Sequence, residues 1–156
     1  MGSQSLTPIL LAKGAATFFG VVEIIFGVRA MISPSSFATA HGFIHLNTNF
    51  KRGTAEDFSP LIKSSGAQHI ASGLGFVALC YLNDMKALGV CMCASSIAGF
   101  LDGVVVLNSL STDGGSQKST GHAENTKAEA RKSGWAHCIA AAICGATGAF
   151  LMASNE

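Results

Sequence analysis

Four apolar stretches, about Pro8 to Ile32, Ser64 to Leu82, Ala87 to Leu107 and Gly134 to Ala153, each hold an ionisable residue well inside them: Glu23, His69, Asp102 and His137. Each stretch has about the 17–25 residues that a helix needs to cross a hydrocarbon core. Threading the chain back and forth through a bilayer gathers the four groups toward one end. If the first helix runs from side A to side B, His69 and His137 come about one turn below surface B, Asp102 about 8 Å and Glu23 about 13 Å. The spacing therefore predicts an all-α, four-helix transmembrane bundle, a single domain over residues 1–156, whose ionisable groups line one cavity.

Composition agrees. Hydrophobic residues make up 49% of the chain and charged residues 12%, where an ordinary soluble domain carries about 25% charged residues. The second, third and fourth stretches lack the broad charged face of a soluble bundle helix, as expected of helices apolar all round. Lys and Arg set the orientation. Lys51, Arg52, Lys63, Lys118, Lys127, Arg131 and Lys132 fall in the side-B connections, with Arg29 near that boundary, while side A has only the turn Asn83 to Lys86 and lysine-free, arginine-free termini. Loop charges resist translocation, so side B is expected to be cytosolic. The first apolar run lacks a basic leading region and reads as a spanning helix that serves as its own insertion signal.

The side-B connections differ in character. The first, Ser33 to Lys63, holds Pro34, Phe37, His41, Phe43, His45, Phe50, Phe58 and Pro60, enough apolar residues to pack over the cavity as a lid or short interfacial helix. His41 and His45 have helical metal-ligand spacing, but Gly42 intervenes and no third ligand is evident, so a loop or packing role is the better reading. The second, Ser109 to Lys132, reads as a polar linker that becomes helical near Ala128. No internal repeat, phosphate-binding glycine loop, nucleophile elbow or zinc spacing is visible. Cys80, Cys91, Cys93, Cys138 and Cys144 lie in or beside apolar spans, where small buried thiols are common, and no pairing is evident.

Helical faces place the ionisable groups indoors. Glu23 shares a face with Gly20, Gly27 and Ala30; Asp102 with Ser95, Gly99 and Val106; His137 with Gly134, Ala141, Cys144 and Gly148; His69 with Ser65, Ser72, Gly73 and Phe76, with Gln68 beside it. Small residues let membrane helices approach closely, so these groups point into the bundle. An intramembrane Asp–His contact that merely joins two helices is the competing reading. The chemistry of such a cavity is acid–base work. A carboxyl group removed from water favours its neutral form and can serve as an acid, and a nearby histidine can relay the proton. Asp102 and His137 are expected within direct or one-water hydrogen-bond reach, and Glu23, deepest, is expected to be the most shielded.

At these residues the chain resembles a family. The runs Gly27-Val-Arg-Ala-Met-Ile-Ser-Pro34, Gly42-Phe43, Gly66-Ala-Gln-His-Ile-Ala-Ser-Gly73, Gly99-Phe-Leu-Asp-Gly-Val-Val-Val106 and Trp135-Ala-His137 are similar to small four-helix membrane proteins of unknown function near the DoxX-like proteins. That family usually reads Gly-x-Arg-Asp where this chain has Gln68-His69. Many fungal members accompany natural-product pathways, and the resemblance extends to the Brønsted-acid epoxide-rearranging and cyclising proteins of quinolone alkaloid biosynthesis. It implies an isomerase or cyclase of secondary metabolism, integral to the membrane of the endoplasmic reticulum, acting on a small apolar metabolite alongside other pathway enzymes.

Asp102, Glu23, His137 and His69 are then the expected catalytic groups and Arg29 and Gln68 the substrate-binding ones, with no cofactor, metal or nucleic-acid partner. Two other classes compete. A non-enzymatic carrier or accessory subunit suits the small size, although carriers usually show internal repeats and broken helices. A b-type haem protein would use His69 and His137 as axial ligands and needs opposed helices around a wide pocket.

Overall fold

In the computed structural model the residues described are 6–41, 59–111 and 121–154. They form five helices: α1 (Leu6–Ile32), α2 (Pro34–Ala40), α3 (Ser59–Tyr81), α4 (Met85–Ser111) and α5 (Gly121–Ala153). Among the described residues there is no strand. Three helices are long and apolar enough to cross a membrane, over Thr7–Ile32, Met85–Asn108 and Lys127–Ala153. α3, with Lys63, Ser64, Ser65, Gln68 and His69 in its first half, is the more polar fourth.

Local chemistry explains the joints. Pro34 disfavours a helical Ser33, which ends α1, and itself occupies the first position of α2, where no N–H is needed. Between α3 and α4, Asn83 adopts φ 58, the left-handed residue that closes a helix C-terminus. The Asp84 N–H then donates to the Leu79 carbonyl at 3.1 Å, completing a Schellman motif. Asp84 caps the next helix, its Oδ1 accepting the Ala87 N–H at 3.0 Å. Two expectations shift. α3 starts at Ser59, five residues before the expected Ser64, with Pro60 at its first turn. The polar stretch 109–132 is helical to Ser111 and again from Gly121, and residues 112–120 lie outside the described residues.

The long helices pack as two antiparallel hairpins, α1 with α3 and α4 with α5, each sealed by glycines. A Cβ on Gly27 would sit 2.5 Å from the Gly66 carbonyl oxygen, and one on Gly20 3.0 Å from that of Gly73. In the second hairpin a Cβ on Gly89 would lie 2.6 Å from the Gly148 carbonyl and one on Gly103 2.8 Å from that of Gly134. These backbones touch with no room for a side chain, the packing mode of helices that gain little from hydrophobicity in lipid.

The hairpins join each other at side A. Ala12, Ala16, Phe76, Met85, Leu88, Met92, Cys144 and Leu151, drawn from all four long helices, form one buried cluster there. The Lys13 ammonium donates to the Asn83 side chain and ties α1 to the joint between the hairpins. Toward side B the halves part around a cavity.

The hairpins also correspond in sequence, a repeat too short to see without the pairing. Glu23 lies three residues after Gly20 and four before Gly27; Asp102 lies three after Gly99 and four before Val106. His69 lies three after Gly66 and four before Gly73; His137 lies three after Gly134 and four before Ala141. The packing repeats at one of the two contacts and shifts at the other, where Gly66 meets Gly27 but Gly134 meets Gly103. Gly20 meets Gly73 in one hairpin, and Gly99 meets Ala141, a Cβ at Gly99 lying 3.5 Å from that of Ala141, in the other.

Candidate functional site

Glu23, His69, Asp102 and His137 all line one cavity of about 310 Å³, together with Gln68, Phe19, Val22, Phe26, Ala140 and the hydroxyls of Ser65, Ser72, Ser95 and Ser96. That volume is at the lower end for ligand sites, about 300–1,000 Å³. One wall comes from each hairpin: acid on the first helix, imidazole on the second.

Glu23 and His69 close on one another. Glu23 Oε2 pairs with His69 Nδ1, and both side chains are about three-quarters covered, at 27% and 23% exposure respectively. The depth expectation is thereby revised. Glu23 lies nine residues before the end of α1, Asp102 nine before the end of α4, and His69 ten after the start of α3. The five additional residues at the start of α3 lower His69 by about 7.5 Å and bring it level with Glu23. Glu23 is also no better covered than its partner. Asp102 and His137 behave differently: no direct hydrogen bond or ion pair joins them, and Asp102 is exposed to the cavity where Glu23 is half-buried. The directly bonded acid–histidine pair is therefore Glu23–His69; of the direct or one-water reach expected for Asp102 and His137, the direct bond is not made.

Arg29 stands outside the cavity wall. Its Nη2 donates to Ser36 Oγ at 2.9 Å and fastens α2 to α1. Gln68 does line the cavity. His45 lies outside the described residues.

α2 brings a residue that sequence reading set aside. His41, directly after α2, is 5% exposed. Its ring stacks on Phe37 at 3.8 Å, meets Phe26 edge-on at 5.2 Å and lies 5.1 Å from the His137 ring. Phe37 in turn faces His69 at 6.0 Å. Because a carbonyl only accepts, His41 Nδ1–H donates to the Phe37 carbonyl, at 3.0 Å, and this fixes the tautomer when the ring is neutral. Burial pushes the His41 pKa down to about 4; the Phe37 hydrogen bond opposes that, and His137, His69 and Arg29 add to it. The sequence signal was available: Pro34 opens a helix on which Phe37 and His41 stand four apart, on one face.

Two thiols reach across one helix seam. Cys93 Sγ approaches the Gly145 carbonyl at 3.6 Å and Cys144 Sγ that of Met92 at 3.5 Å, each across the α4–α5 seam. Among the described residues no group of three or more His, Cys, Asp or Glu side chains is arranged to hold a metal ion.

A family model, "Domain of unknown function (DUF4267)", matches residues 15–151, and the chain belongs to that family. Its matched span takes in all four cavity-lining ionisable residues. No curated protein and no solved structure matches the chain.

Proposed function

We propose that this protein is a multi-pass membrane isomerase or cyclase that works by general acid–base catalysis on a compact apolar secondary metabolite. In this reading α3 is the fourth span, side B with residues 33–63 faces the cytosol, the membrane is the endoplasmic reticulum, and substrate reaches the cavity from the bilayer. The observation that carries the reading is a hydrogen-bonded Glu23–His69 pair facing Asp102 and His137 across one cavity. Structural glue needs one acid–imidazole contact between two helices. Two such sets facing the same space give a bound molecule a proton donor on one wall and an acceptor on the other.

Epoxide opening is the fitting reaction type. A protonated group donates to the ring oxygen as a C–O bond breaks, and an opposing base takes the proton released as the product rearranges, so no oxidant or reductant is consumed. General acid catalysis contributes about 10²–10⁴-fold, and water exclusion beneath α2 adds to it. The resemblance to fungal natural-product proteins points the same way.

The correspondence between hairpins favours one alternative, a carrier, because parallel repeats about an axis along the membrane normal build transporters. Metabolite profiles of a deletion strain separate the two. An enzyme mutant accumulates precursor, whereas a carrier mutant retains finished product inside the cell. Orientation is tested by protease treatment of sealed microsomes: residues 33–63 are cut from the cytosolic side and the termini are protected, and cytosolic cleavage of the termini would reject it.

A further inference from the structure

We infer that the open Asp102–His137 pair is the seat of a hydroxyl group: the ligand is a compact apolar molecule whose O–H donates to Asp102 and accepts from His137, taking the place between acid and imidazole that Glu23 fills for itself in the other hairpin. The inference deepens the acid–base reading by naming the substrate class.

The argument rests on the paired hairpins. Each places an acid three residues after a small-residue contact and a histidine three residues after a glycine, on helices that touch at corresponding positions, Gly20 with Gly73 and Gly99 with Ala141. In both hairpins the acid and the histidine stand on facing helices and line the same cavity. Two things differ: the acid is shorter, and the second contact shifts, Gly66 meeting Gly27, four residues after its acid, where Gly134 meets Gly103, one residue after its acid. Glutamate carries one more methylene than aspartate, about 1.5 Å of reach, and Glu23 bonds His69 whereas Asp102 does not bond His137. A gap left by a shortened side chain is open to a third group, and both Asp102 and His137 line the cavity.

The chemistry of the gap selects that group. An ionised carboxylate only accepts hydrogen bonds, and a neutral imidazole offers one donor and one acceptor. A bridging group that gives one hydrogen and receives another is a hydroxyl or enol. The surrounding Phe26, Ala140 and Ala141 select an apolar body, and about 310 Å³ holds a molecule of one or two rings and excludes a membrane lipid with its chains.

The test measures binding and needs no turnover, so it can succeed where the catalytic reading fails. Full-length protein in lipid nanodiscs is dialysed against 2-naphthol, 2-methoxynaphthalene or naphthalene, with empty discs as reference. Saturable uptake of 2-naphthol is expected in wild type. For 2-methoxynaphthalene, which lacks the O–H, binding weaker by about tenfold or more is expected, and for naphthalene only lipid partitioning. Asp102→Glu restores the missing methylene while keeping the charge, and is expected to weaken 2-naphthol binding by about tenfold or more as the second pair closes on itself. Asp102→Asn retains length and an acceptor and is expected to lose less than Asp102→Glu. No saturable naphthol uptake, equal uptake of the methoxy compound, wild-type affinity in Asp102→Glu, or a larger loss in Asp102→Asn would each overturn the assignment. If Asp102→Glu does not fold, the wild-type comparison of naphthol with its methyl ether decides it.

Discussion

The two hairpins use one plan to opposite ends. In α1–α3 the acid reaches its histidine, and the pair satisfies its own hydrogen bonding in a low-dielectric interior where an unpaired polar group is costly. In α4–α5 the acid is shorter and Gly134 meets Gly103 in place of Val106, and the two groups line the cavity with no direct bond between them. One acid is committed to its histidine and the other is not. Membrane proteins keep ionisable residues in their spans chiefly for function, and on the proposed reading the unbonded half is the one that takes the ligand.

The largest test of that contrast exchanges acids for amides. Asp102→Asn is expected to cut turnover of the pathway substrate in microsomes by about 10²–10⁴-fold while the protein remains folded and inserted. Glu23→Gln, whose amide still reaches His69, is expected to lose less. The reverse order would interchange the roles of the hairpins.

Next come the seams. Gly27→Ala and Gly89→Ala each drive a Cβ into the carbonyl of a facing helix, and each is expected to lower unfolding stability in detergent by about 1–3 kcal/mol. A loss at only one of them would show that the hairpins are not equally tight.

A smaller effect falls on α2. The His41 pKa is lowered from 6.5 to about 4, so the undocked segment binds a proton that the docked one refuses. The stability of docking is fully present above about pH 6.5 and is lost as pH falls toward about 4. Between pH 7 and pH 5 the loss is about 2 kcal/mol, readable as faster hydrogen exchange over Pro34–Ala40. His41→Phe, which retains a packed ring without a titrating group, should abolish that pH dependence.

The smallest effect is expected at Gly14 and Gly75, where a Cβ would meet nothing within 4 Å. Alanine at either should leave stability unchanged or raise it by up to about 1 kcal/mol.

The helical class, three of the spans and the grouping of Glu23, His69, Asp102 and His137 were legible because apolar length and isolated ionisable residues are properties of the chain itself. Which acid bonds which histidine was not. That depends on the length of each acid and on helix register, which only the glycine contacts reveal; the start of α3 was hidden as well, because Ser59-Pro60 extends the helix through Lys63 into polar sequence where hydropathy gives no boundary. For His41 a packing role was legible from Pro34 and the Phe37 spacing, but its partners Phe26 and His137 were not, since they depend on how α2 folds back over the bundle. The repeat was hidden because it consists of a few residues per helix and acquires register only when the glycine contacts are known.

Asn83 gives the molecule a mechanical proportion. The hairpins are cemented at side A and joined there by a single tight turn, while Asp102 lies seventeen residues along α4 from Met85, about 26 Å from that joint. At such a radius a rotation of about 5° of one hairpin against the other displaces the carboxyl by about 2 Å relative to the Glu23–His69 wall. The turn with its left-handed asparagine and the Lys13 tether thus sits at the pivot of a long lever, and the width of the cavity between the two walls is set at the far end of the protein.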